Sequence, residues 1–131
     1  MADLRALLES LGARDVRTVL NSGNAVFTAP GRGLTSAAVE RGMSRELAVA
    51  ARVLLLSASE TRSVARQNPL RDVAADPKRL IVAFVMDSEA ISTLKALARR
   101  NWQGERLAWG SRAGYLWCPN GIAASPLMAE V

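Results

Sequence analysis

Residues 16–27, VRTVLNSGNAVF, set two runs of apolar and β-branched residues on either side of Asn21, Ser22, Gly23 and Asn24. β-Branched side chains suit an extended backbone, whereas Gly and Asn accept positive φ at little cost. The segment therefore predicts two antiparallel strands joined by a tight turn. A hairpin so early in a chain of 131 residues commits the fold to a sheet, and the helical patterns around it must pack on that sheet.

Upstream, Leu4, Leu7, Leu8 and Leu11 recur at the spacing of one helical face, with Asp3 able to cap the start and Gly12 able to end the helix in a left-handed conformation. Downstream, PGRG (30–33) reads as a loop, and Thr35 as the cap of a second helix whose Val39, Met43 and Leu47 share a side. Gly42 inside that helix weakens it by about 1 kcal/mol relative to Ala. RVLLL (52–56) reads as a buried strand, and SASE (57–60) as a capping box opening a short helix. That helix should stop at Asn68, because Pro69 disfavours helical geometry in its predecessor. LIVAFVM (80–86) is apolar on both faces, which predicts a central strand. Asp87 or Ser88 can cap a helix lined by Ile91, Leu94, Leu97 and Ala98. RLAW (106–109) and GYLWC (114–118) then read as paired strands, with Pro119, Asn120 and Gly121 marking a final turn.

In order these elements are α-β-β-α-β and then β-α-β-β. Each set is a βαββαβ unit with a piece absent: the first lacks its opening strand, the second its closing helix and strand. The expectation is an α+β chain, ferredoxin-like, made of two incomplete halves. PLRDVAADPKR (69–79) has two prolines, mixed charge and no sustained period. It is the expected linker between a first half at 1–68 and a second at 80–131.

Half the residues are hydrophobic and 22% are charged, which argues against disorder. The longest apolar run is far short of the ~20 residues that cross a bilayer, so no membrane partner is expected. Asp3 and Glu9 stand where a secretory leader would have a basic start and an apolar stretch, and Cys118 is the single cysteine. Both point to the cytoplasm. The chain has no histidine, which removes His-based acid–base catalysis, Ser-His and Cys-His pairs and nearly every zinc site. No phosphate-loop pattern occurs, and no spacing pairs the carboxylates, so neither a cofactor nor a metal is expected. Cys118, with no histidine to activate it, reads as a buried bystander thiol.

Three segments carry a family resemblance. MADLRALLESLGARDVRTVLNSGNAVF resembles the opening of a bacterial family known as domain of unknown function 1697, in which a leucine-rich helix leads into an SGN-x-V-F hairpin. ARQNPL is similar to that family's NPF/NPL segment, at Asn68, Pro69 and Leu70. YLWCPNGIAAS is similar to its aromatic strand followed by P-x-G-I-x-x-S, at Pro119, Gly121, Ile122 and Ser125. The family's usual opening strand with an RGINVGG-like stretch, and its closing helix with a TRNWNT-like motif, have no counterpart in this sequence. The resemblance implies two ferredoxin-like halves and no established activity. In such a sheet the first strand lies between the third and fourth. A half without it leaves unpaired N–H and C=O groups, each costing about 1–3 kcal/mol if buried. The slot is expected to be closed by a rearranged sheet, by strand complementation in a homo-oligomer, or by residues outside this sequence.

With no catalytic constellation, the leading functional expectation is a non-catalytic binding or interaction module. Ser22, Gly23 and Asn24 could hold an anion or a polar ligand through hydroxyl, amide and backbone N–H groups, and Asn120 with Gly121 form a second polar turn; either is equally a plain turn. The enzyme alternative places a small-molecule cleft between the halves, near those two turns. A nucleic-acid alternative draws on the net charge of +5 and on Arg supplying 15 of 17 basic residues. Those arginines are scattered, however, and AFV (83–85) matches only the middle of an RNA-binding sheet motif. Trp102, Trp109, Tyr115 and Trp117 cluster late in the chain. Tyr115 and Trp117 should share one strand face, with Trp109 joining them across the hairpin, and core packing is favoured over a stacking platform.

Overall fold

The computed structural model describes residues 2–21, 23–31 and 34–131. The chain is α+β and divides into two compact units, residues 1–55 and 56–131.

In the first unit, α1 (Ala2–Ser10) buries Leu7 and Leu8, and Asp3 lies within its first turn, where the helix dipole favours an anion. The helix closes in a Schellman arrangement: Ala13 N–H donates to the Leu8 carbonyl, Gly12 N–H to that of Glu9, and Gly12 takes φ +91. The expected hairpin follows. β1 (Arg14–Val19) and β2 (Asn24–Thr28) run antiparallel, with Val19 opposite Asn24 and a register irregularity between Arg14 and Arg17. Asp15, at φ 54, sits in that irregularity. α2 (Ser36–Glu46) is capped by Thr35, whose hydroxyl accepts from Ala38 N–H at 3.2 Å. Leu8, Ala13, Val16 and Val39 form the core of this unit, with Leu4, Phe27 and Met43 around it.

Gly42 is buried in α2, and a Cβ on it would stand 2.6 Å from Cδ1 of Leu7. The glycine lets α1 lie close enough to α2 for Leu7 to pack on bare backbone. Sequence alone registers only its helix-weakening effect.

The strand expected at 52–56 does not form. Among the described residues the sheet of this unit holds only β1 and β2, so no ladder meets RVLLL. Val53 N–H donates instead to the Glu40 carboxylate at 2.8 Å, and its side chain packs on the core.

In the second unit, α3 (Ala58–Arg66) opens with the predicted capping box, in which Ser57 and Glu60 each accept from the other's backbone N–H. It ends at Gln67, and Asn68 Oδ1 accepts from Leu70 N–H at 2.8 Å, folding the NPL segment so that Leu70 is buried. A 3₁₀ turn at Pro77–Arg79 feeds β3 (Leu80–Phe84), followed by α4 (Ser88–Leu97), β4 (Arg106–Trp109), β5 (Ala113–Trp117) and the short α5 (Pro126–Glu130). Asp87 caps α4 by accepting from Ala90 N–H.

The sheet order is β3-β5-β4, antiparallel throughout. β5 is therefore the central strand, and Ala113 to Leu116 are all buried. One sheet face carries Ile81, Ala83, Leu107 and Leu116 against Leu97 and Leu127. The other carries Leu80, Ala108, Tyr115 and Trp117 against Val64 and Leu70. β3, expected in the middle, pairs only with β5 and lies at an edge, since the described residues offer no strand for its other side. The aromatic expectation also needs correction. Trp109 pairs with Gly114, not with Tyr115 or Trp117, so it belongs to the opposite face. Gly114 makes room for it: a Cβ there would lie 3.1 Å from the indole.

Tyr115 is fully buried, and its hydroxyl donates to the Val64 carbonyl at 2.5 Å. That carbonyl is in the last turn of α3, where helical acceptors lack intrahelical donors. Burial raises the phenol pKa above its ordinary value.

Two expectations follow. Gly42→Ala should fail to yield the ~1 kcal/mol helix gain, and Gly42→Leu should lower stability by about 1–3 kcal/mol through overpacking, both read by denaturant titration. Tyr115→Phe should cost about 1–3 kcal/mol by orphaning the Val64 carbonyl. Because the folded phenol holds its proton more tightly than the unfolded one, its contribution is complete below pH ~10 and is lost as pH climbs through the raised folded value. As the only tyrosine, Tyr115 should show phenolate absorbance that rises with alkaline unfolding rather than before it.

Candidate functional site

The residues singled out in the sequence lie in separate units. Gly23, at φ +81, and Asn24 close the β1–β2 hairpin of the first unit, next to Leu20 at φ 57. Ser22 lies outside the described residues. Asn120 and Gly121 form the turn after β5 in the second unit, where Gly121 N–H donates to the Cys118 carbonyl and φ is +96. Gly121 is thereby accounted for by backbone geometry, since a side chain at that φ is strained.

The P-x-G-I-x-x-S segment instead builds a buried polar chain. Ser125 caps α5 by accepting from Met128 N–H at 3.0 Å, donates to the Glu105 carboxylate at 2.9 Å, and accepts from the Cys118 thiol at 3.5 Å. The same Glu105 oxygen accepts from Leu127 N–H at 3.1 Å. Cys118, Ser125 and Glu105 are all buried. A thiol, a hydroxyl and a carboxylate in a row resemble a nucleophile relay. Here the thiol, the hydroxyl and one carboxylate oxygen fasten residues 118–128 onto the sheet. Carboxylate and helix N-terminus satisfy each other, which explains an acidic side chain in this interior.

Depressions are found at two places among the described residues. A shallow depression of about 360 Å³ is lined by Glu40, Ala50, Ala51 and Arg52, but its carboxylate already holds Val53. The second, about 190 Å³, lies between α4 and the β4–β5 turn, with Val85, Ile91 and Ala113 as apolar walls and Lys95, Trp109, Ser111 and Arg112 as polar ones. Two of these polar groups are positioned for a structural reason. Ser111 donates through backbone and hydroxyl to Gln67 Oε1, at 3.2 and 2.8 Å. Arg112 pairs with Glu60 at 2.7 Å. The Ser57 backbone N–H, then the Ser57 side chain and Arg112, hold the Glu60 carboxyl below its ordinary value, so Arg112 keeps its counter-ion. A Cβ on Gly110 would stand 3.1 Å from the Tyr115 ring and hydroxyl, a tight contact that the glycine avoids.

Among the described residues, Lys95 has no ion pair, and the indole N–H of Trp109 is buried with no acceptor. A buried donor left unpaired costs about 1–3 kcal/mol, so an orphan beside a cavity marks where an acceptor belongs. Nothing in the sequence flagged this site, because Trp109 reads as core and Lys95 as a solvated helix residue. The signal that could have found it is the Trp-Gly-Ser-Arg order at a turn facing a helical lysine.

The fold and this cleft define a small α+β domain with a donor-lined pocket. The chain matches the family described as "Protein of unknown function (DUF1697)" over residues 1–115 and belongs to it. Searches of curated proteins and of solved structures found no match.

The buried relay predicts that native Cys118 resists thiol reagents, and that Ser125→Ala speeds its labelling by about fivefold, since losing a helix cap opens the segment by roughly 1 kcal/mol. Glu105→Gln, which keeps an acceptor, should have a smaller effect.

Proposed function

We propose that this chain is a non-catalytic binding module whose ligand is a small organic anion, a carboxylate with a short apolar body. The observation that carries the reading is the unpaired Trp109 N–H beside a cleft whose other polar groups are Lys95, Ser111 and Arg112. Ser111 and Arg112 already hold Gln67 and Glu60, which leaves the Lys95 ammonium and the Trp109 N–H as donors to be met, so the complementary group is an anionic acceptor. Val85, Ile91 and Ala113 suit the apolar end. The volume of about 190 Å³ is below the ~300–1,000 Å³ of drug-sized pockets, which restricts the ligand to a few carbons. Absence of histidine, and commitment of the one thiol to a buried structural chain, favour binding over turnover. Each unit is taken here as a ferredoxin-like half. The order β3-β5-β4 supports this, since a βαββ unit of that fold sets its first strand beside its third and its third beside its second.

The test is titration with propionate and butyrate, following the three indole N–H resonances in nitrogen-labelled protein. The Trp109 resonance should move downfield, the signal should vanish in Trp109→Phe, and Lys95→Met should weaken binding by about tenfold. An indole N–H unmoved by either acid at millimolar concentration, in protein whose fold is intact, overturns the reading.

A further inference from the structure

Edge strands of soluble proteins are blunted by charge, proline or a bulge, because an edge otherwise offers a row of free N–H and C=O groups to any extended chain. β1 obeys this rule, carrying Arg14, Asp15 and Arg17 and a register irregularity. β3 does not. Its residues LIVAF include no charge, no proline and no polar side chain, and its ladder with β5 is regular from Leu80 to Phe84. Val82 and Phe84 are 38% and 39% exposed on one face, and Met86, just beyond, is 42% exposed. The most apolar strand of the chain thus stands at an edge, with the side chains of a central strand.

We propose that the free edge of β3 pairs with β3 of a second copy of this chain, antiparallel about a two-fold axis at Val82. Two features select that occupant. Self-pairing in this register sets Ile81 against Ala83 on one face, and Val82 against Val82 with Leu80 against Phe84 on the other. Bulk thus meets complementary bulk with no polar atom interposed. The flanks differ in charge: Lys78 precedes the strand beside Arg79, which is paired with Asp76 at 3.5 Å, and Asp87 follows it. Antiparallel pairing brings the basic flank of each copy beside the acid of the other, whereas parallel pairing would place like charges together. The product is a continuous six-stranded sheet, β4-β5-β3-β3-β5-β4, with an isologous interface.

Sedimentation across a concentration series should show a reversible dimer. Val82→Lys, at a site exposed enough to carry the side chain without unfolding, should raise the dimer dissociation constant at least ~10-fold by setting two cations face to face. Circular dichroism confirms its fold. Val26→Lys, on the uncharged strand β2, should leave the dimer intact. Mild oxidation reads the register. Val82→Cys should give a disulfide-linked dimer, while Phe84→Cys should not, because its two copies lie roughly 13 Å apart along the strand. Buried Cys118 does not compete. A chain that stays monomeric at all concentrations, a dimer broken by Val26→Lys rather than Val82→Lys, or cross-linking through Phe84→Cys in place of Val82→Cys each overturns the proposal.

Discussion

The hydroxyl of Tyr115 on the Val64 carbonyl is the contact on which the second unit's architecture turns. It joins the end of α3 to the central strand, and α3 has few other means of staying there: within the helix only Val64 is buried. Once the ring is seated, it packs close over Gly110, Gln67 is brought to the β4–β5 turn to accept from Ser111, and Glu60 at the other end of α3 reaches Arg112. The turn that forms one wall of the cleft is thus held by two side chains of one helical segment. A phenol is suited to the task, because its ring fills the apolar layer while its single donor reaches a helix end that lacks donors of its own.

Sheet incompleteness has opposite consequences in the two units. In the first, RVLLL has strand composition but no neighbouring ladder, and it remains irregular with one N–H held by Glu40. In the second, LIVAF has a neighbour on one side and becomes a regular strand with the other side open. The difference is cooperative: extended backbone is stabilised by pairing and by burial of alternate side chains, not by β-branched composition alone. A segment with no partner does not form a strand, and one with a single partner forms an edge.

Local structure was legible wherever a residue acts on its own neighbours. Thr35, Ser57 and Asp87 cap the helices the sequence assigns to them, Gly12 ends α1, and the hairpin turns where Asn and Gly interrupt the apolar runs. What sequence missed depends on partners distant in the chain. The apolar character of residues 80–86 predicts a covered strand, and whether anything covers it is decided by residues elsewhere. The same holds for Gly42, whose cost to its helix is local and whose purpose, admitting Leu7, is not. The donor cleft was invisible for a related reason. A tryptophan in a strand announces burial, and only the fold reveals that its N–H is buried without an acceptor.

The motifs behind the family resemblance divide along the same line. Asn68 folds its own turn so that Leu70 enters the core, and Gly121 and Ser125 shape and cap the segment that closes the second sheet. Each of these residues has a structural role in this chain. Residues that face the cleft have a different character. Lys95 contributes nothing to the core, and Trp109 leaves a buried donor unpaired, a local penalty of about 1–3 kcal/mol that a leucine in its place would avoid. A domain of ordinary stability, ~5–15 kcal/mol, retains such a penalty where function offsets it.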